Sequence, residues 1–275
     1  MLKDITLGQY FPGNSVIHRL DPRMKVILAI AYIVAIFLAK SVFAFALVAL
    51  TTLMLVIISR ISVAVVLRGI KPIIYVVIFT MIINLFMIKG EGEPLFSLWR
   101  IRIYEEGIYR AVFMALRVIF LIMATSIFLT YTTSPFSLTA GIEGVLSPLK
   151  LIRLPVHDFA MMMMIALRFI PTLVEETDKI MNAQKARGAD FSSGGLIKRA
   201  KALIPILVPL FVSAFNRAND LSVAMECRCY RSGKGATKLH KLKFSALDFV
   251  SLLIMAIFIT AIVLINKYVT VGFSL

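Results

Sequence analysis

The chain has 275 residues, 60% of them hydrophobic, and a mean hydropathy of +0.91, whereas soluble domains run at about 45–50% apolar. That composition excludes a soluble enzyme and calls for a polytopic membrane protein. Lys and Arg number 30 against 15 Asp and Glu, a formal charge of +15, and they cluster between long apolar runs, which places basic parts on the cytoplasmic side.

Residues 1–25 are expected to form a cytoplasmic N-terminal segment. Within residues 1–14 no charged stretch is followed by an apolar one and a small-residue cleavage site, so no removable signal peptide is expected. Asp21-Pro22 fits a helix start, with Asp as N-cap and Pro at the first helical position. A helix needs about 20 residues to cross about 30 Å of hydrocarbon, and four runs approaching that length occupy residues 26–131: 26–39, 42–59, about 70–88 and about 108–131. The first is short, but Lys25 and Lys40 flank it and can snorkel. Only Lys40 and Ser41 part it from the second, which predicts a tight helical hairpin. A polar stretch with Glu91, Glu93, Pro94, Trp99, Glu105 and Glu106 precedes the fourth run. Arg117 lies in the middle of that run, where a charge is costly. It is a functional candidate there, and pairing with a backbone carbonyl inside the bundle is the simpler structural account. A fifth run, 249–266, lies in the last segment, 244–275.

Residues 132–243 are apolar only in short bursts interrupted by Arg168, Pro205 and Pro209, and so read as interfacial or buried helices rather than spans. With five spans and the N-terminus inside, 23 of the 30 basic residues fall on the cytoplasmic side. The C-terminus is then outside.

Inside this insertion, residues 156–187 have the length of one long helix with a kink expected at Pro171. Leu173, Val174, Thr177, Ile180 and Met181 line one side, with Glu175, Glu176, Asp178 and Lys179 on the other. Gly188 directly after Arg187 suits a left-handed C-terminal residue. A second helix starts after Ser192, Ser193, Gly194 and Gly195 and reaches about Cys229. On it Phe211, Val212, Phe215, Ala218, Ser222 and Met225 share a face. It also closes on an arginine, Arg228, 41 residues after Arg187, a weak internal repeat. A cation in the last turn of a helix is stabilised by the dipole by about 0.3–1 kcal/mol, so a helix cap accounts for either arginine from physics alone. Met161, Met162, Met163 and Met164 stand together near the start of the first helix. Ordinary core filling explains such a run, and so does an adaptable contact surface.

Signals for catalysis are missing. Lys234 follows Gly233, but Arg228 stands where a phosphate-cradling loop needs its first glycine, and no Ser or Thr follows the lysine. His18, His157 and His240 lack the spacing of metal ligands. Cys227 and Cys229, the only cysteines, point to different helix faces and imply neither a disulfide framework nor a metal site. The chain is therefore expected to hold no catalytic, cofactor or metal residues and to bind no nucleic acid. A stand-alone secondary transporter would call for polar or acidic residues at the membrane midplane, and a lipid-modifying enzyme for His and carboxylate clusters near the interface.

The segments Lys185-Ala186-Arg187-Gly188-Ala189-Asp190 and Ala224-Met225-Glu226-Cys227-Arg228-Cys229-Tyr230, together with Ile17-His18-Arg19-Leu20-Asp21-Pro22-Arg23-Met24-Lys25, resemble the transmembrane component, EcfT, of energy-coupling factor transporters for vitamins and metal ions. The resemblance covers essentially the whole chain. It implies an all-α polytopic membrane protein of the prokaryotic cell membrane, with about five spans and a cytoplasmic or interfacial pair of coupling helices inserted before the last. It also implies docking of two ABC-type ATPases on two X-Arg-X motifs, here Ala186, Arg187, Gly188 and Cys227, Arg228, Cys229. The second motif departs from the usual Ala-Arg-Gly at both flanks. ATP and Mg would be bound by those partners. The coupling helices would also cradle a substrate-binding membrane subunit, or several interchangeable ones, which assigns Met161, Met162, Met163 and Met164 to that contact. Lys198, Arg199 and Lys201 are expected at the lipid surface.

The topology is tested by labelling single cysteines placed in a Cys-free background. Positions 193 and 235 should stay unreachable from outside intact cells, while 93 and 274 label readily; outside labelling at 193 overturns the assignment.

Overall fold

The computed structural model describes residues 10–87, 96–98, 101–189, 191, 195–230 and 242–268. Glu91, Glu93, Pro94, Trp99, Asp190, Ser192, Ser193, Gly194, Lys234 and His240, which the sequence reading singled out, lie outside them. Packing divides the chain into two units. Among the described residues, one lies within 10–145 and 242–268 and the other within 146–230.

The first unit starts with a single turn, α1 (Val16–Arg19), followed by α2 (Pro22–Leu38) and α3 (Val42–Ser59). Next come α4 (Val63–Ile70) and α5 (Ile74–Met87), bent by 57°. The run expected at 70–88 is thus the single helix α5, starting four residues later than expected, and the short α4 precedes it across a break at Lys71-Pro72-Ile73, where Pro72 withdraws a backbone donor. Two short strands, β1 (Phe96–Leu98) and β2 (Ile101–Ile103), pair antiparallel with Phe96 opposite Ile103. They are the one β element among the described residues of an otherwise helical fold. α6 (Glu105–Thr125) continues into a π-helical turn, Ser126–Tyr131, and α7 (Pro135–Val145) packs on α2. α10 (Ala246–Tyr268) completes the unit.

Length and composition qualify five helices as spans: Val42–Ser59, Gly107–Tyr131, Val156–Ala186, Ala200–Cys227 and Ala246–Tyr268, with the bent α4 and α5 pair as a sixth. The set differs from the expected one. The two helices of the insertion are continuous through Pro171, Pro205 and Pro209, since a proline removes one hydrogen bond from a ladder of about thirty and the rest persist. α2, with 17 residues, stands at the short end of the length that crosses a bilayer.

The core of this unit forms where α2 meets α3, α6 and α10. Tyr32, 1% exposed, stacks on Phe258 with ring centroids 5.4 Å apart. Its hydroxyl meets Thr52 Oγ1 at 2.7 Å and Thr51 Oγ1 at 3.0 Å, so the phenol oxygen is satisfied inside an apolar core.

Both ends of α2 are tied by polar side chains. At its start the Asp21 carboxylate accepts from the Arg23 amide at 2.8 Å, as the N-cap reading requires. The Asp21 amide in turn donates to Asp248 Oδ1 at 2.9 Å, and Asp248 Oδ2 accepts from the Ser245 amide at 2.7 Å. Lys25 is 2% exposed and donates to the carbonyls of Thr132 at 2.7 Å and His18 at 3.2 Å. Lys25 therefore does not snorkel as expected; it turns inward because two orphan carbonyls, one of them past the end of α6, need a donor. At the far end Asn266 accepts from the amides of Lys40 and Ser41 and donates to Leu38 O at 2.6 Å. α2 and α10 consequently run parallel, and α6 runs against them.

Asp248→Ala leaves the buried Asp21 amide unpaired and releases the Ser245 amide of the exposed turn before α10. The unpaired Asp21 amide should cost about 1–3 kcal/mol, read as a drop in thermal unfolding in mild detergent, whereas the exposed Lys267→Ala should change little.

Candidate functional site

The second unit is built on α8 (Val156–Ala186) and α9 (Leu196–Cys227), which pack against each other. Their contact carries an ion pair, Arg217 Nη2 to Glu176 Oε2 at 2.8 Å. These two positions are 41 residues apart, the same offset that separates Arg187 from Arg228. The helices thus meet at equivalent points of the weak repeat. From that meeting each runs 11 residues to its arginine, about 16 Å at 1.5 Å per residue. Two arms of equal length result.

The arms also end alike. Arg187 is the C-cap of α8; behind it the Gly188 amide donates to Lys185 O at 2.9 Å and the Ala189 amide to Gln184 O at 3.0 Å. Arg228 is the C-cap of α9, with the Cys229 amide on Glu226 O at 2.9 Å and the Tyr230 amide on Met225 O at 3.0 Å. This double closure is the Schellman arrangement, which requires a left-handed residue after the cap. Gly188 meets the requirement with φ 84° and Cys229 with φ 55°. The third position of each X-Arg-X motif is therefore a conformational element, and glycine is the undemanding choice for it. A Cβ on Gly188 would meet nothing within 4 Å, so its backbone angle and not crowding explains the glycine.

Ala186, Arg187, Gly188, Cys227, Arg228 and Cys229 are all exposed. Neither terminal guanidinium pairs with another described residue. The backbone amides already satisfy the carbonyls that a capping side chain would reach, which leaves both cations presented outward. Of the methionines, Met162 and Met163 are exposed, at 57% and 40%, beside exposed Phe159, while Met161 and Met164 are half-buried. On α9, Leu207, Val208, Phe211, Val212 and Phe215 form an exposed apolar stripe at helical spacing. Lys198 and Lys201 are exposed.

Arg117 takes the structural role. Its Nη2 donates to Ala39 O at 3.0 Å, past the end of α2, and its guanidinium lies 5.8 Å and 5.4 Å from the ring centroids of Phe37 and Phe45. Cation–π contact and an orphan carbonyl together account for a charge at that depth. Sequence reasoning missed the Glu176–Arg217 pair, although the 41-residue offset was the signal that could have found it. It also missed Asp248, whose clue was a lone carboxylate in the first turn of the last apolar run.

Long apolar helices clasped at their ends, with a second helical pair ending in two exposed arginines, define a polytopic α-helical membrane protein. The family model described as cobalt transport protein, CbiQ, matches residues 13–239. Relatives described as "Energy-coupling factor transporter transmembrane protein EcfT" include one from Clostridium kluyveri, 51% identical over 91% of this chain and 93% of its own. Another from Ruminiclostridium cellulolyticum is 50% identical over 97% and 98%, and one from Bacillus subtilis 47% identical over 93% and 97%. The chain belongs to this family of transmembrane components of energy-coupling factor transporters.

The two caps make opposite predictions for single changes. Gly188→Ala should destabilise the end of α8, and Cys229→Gly should stabilise the end of α9, each by about 1 kcal/mol. Hydrogen exchange of the Ala189 and Tyr230 amides reads both effects.

Proposed function

We propose that this chain is the non-catalytic coupling subunit of an energy-coupling factor importer for a vitamin or transition-metal ion. In this reading each terminal arginine, Arg187 and Arg228, enters a groove on one of two ABC-type ATPases, which bind ATP and Mg. ATPase closure then moves the arms and, through them, a substrate-binding membrane subunit. Family membership supports the assignment to such a complex. The observation that carries the two-site reading is the pair of equal arms, each closed by backbone hydrogen bonds that leave its guanidinium free.

Arginine suits the contact because it stays charged and offers a fork of donors to a carboxylate or to several carbonyls. Met162 and Met163, unbranched and polarizable, suit a surface shared among interchangeable substrate-binding subunits. The charge bias favours a cytoplasmic N-terminus. The parallel course of α2 and α10 then has the last helix begin on the cytoplasmic side and the C-terminus emerge outside.

If the arginines only capped their helices, Arg187→Ala or Arg228→Ala would cost about 0.3–1 kcal/mol and assembly would hardly change. As desolvated anchors, each truncation should cost about 2–5 kcal/mol at the interface, and Lys should rescue only partly. The double change to Ala should release the ATPases or uncouple their turnover from uptake in vesicles. Near wild-type assembly and uptake in the double variant overturns the anchor role.

A further inference from the structure

The first unit contains an apolar slot of about 250 Å³ where α1, α2, α3 and α10 meet. Its floor is buried Ile17, Leu28 and Tyr32, and its mouth is exposed Met54, Val250 and Ile254. Val16, Ile58 and Leu247 continue from the slot into a second, more polar hollow at the end where α3 finishes, and that hollow is lined by Arg19 and Arg60. Both arginines are exposed, and neither pairs with another described residue.

Arg60 adds an independent observation. It is the C-cap of α3 and sits in the left-handed region at φ 56°, where glycine is the usual occupant and a larger side chain is strained. The chain places an arginine at a position where glycine would be unstrained. A hydrocarbon slot opening to the bilayer and ending in two free guanidiniums matches one chemistry: an acyl chain joined to a phosphate.

We propose that this slot is a binding site for one anionic phospholipid, with an acyl chain on Tyr32 and Leu28 and the phosphate between Arg19 and Arg60. A partner helix fits less well, because a helix with side chains is about 10–12 Å across and a 250 Å³ slot admits a chain but not a helix. The arginines supply selectivity for anionic headgroups, and the slot supplies the hold that a soluble phosphate lacks. The lipid would then fill the gap between α3 and α10 beside the junction that ties α2.

The test uses the assembled transporter, stripped of lipid and then exposed to mixed micelles with equal phosphatidylglycerol and phosphatidylcholine, with retained lipid counted by native mass spectrometry. Wild type should retain one phosphatidylglycerol in preference to phosphatidylcholine by about tenfold or more, the scale set by two arginines facing an anionic headgroup. R19Q/R60N, which changes only exposed side chains, should abolish the preference while a lipid is still retained. S251F, which fills the slot, should lose both lipids. An unchanged preference in R19Q/R60N overturns the proposal. So does displacement of the bound lipid by glycerol 3-phosphate at equal concentration, which would mark a simple anion site. Crosslinking of a photoreactive residue at position 250 to a partner subunit instead of to lipid also overturns it.

Discussion

A helix that ends within or beside hydrocarbon must find partners for amides and carbonyls that no neighbouring turn can satisfy. That requirement organises both units. In the first, a carboxylate and a side-chain amide from the two ends of α10 meet the orphan groups at the two ends of α2, and the Lys25 amine of α2 meets those of α1 and of the turn after α6. In the second, each long helix closes on its own backbone. Where the backbone suffices, the terminal side chain is released, and this is why the arginines of α8 and α9 stand free while Lys25 and Arg117 are committed to carbonyls.

This contrast separates two uses of a cation that look alike in composition. Lys25 and Arg117 are spent inside the bundle, each against a carbonyl outside a regular helix. Their loss would act on folding. Arg187 and Arg228 contribute little to the structure that carries them, so their loss should act on assembly. The left-handed Cys229 fits the same pattern, since the second motif adopts the same cap geometry without a glycine to ease it.

Much of this was legible in the sequence because it depends on local rules. The N-cap at Asp21, the left-handed Gly188, the two arginine ends and most of the long apolar helices follow from short patterns and periodicity. The remainder depends on partners distant in sequence. Asp248 reaches Asp21 across 227 positions, and Lys25 reaches Thr132 across 107; no local pattern announces such bonds, and the Lys25 stem looks like any snorkelling flank. The helix through Pro205 and Pro209 was expected at its full length, but its capacity to span is masked by short apolar bursts, although each proline costs only one backbone bond in a helix of 32 residues. The β1–β2 pair went unnoticed because two strands of three residues fall below any periodic window.

The central claim is that the two arms are equivalent anchors set about one crossing point. It is tested most directly by measuring, in the assembled complex, the dissociation constant of each ATPase for Arg187→Ala and Arg228→Ala separately. The account predicts that each change weakens one ATPase and spares the other, by comparable factors. Loss of both ATPases from either single change, or of neither from both, would contradict it.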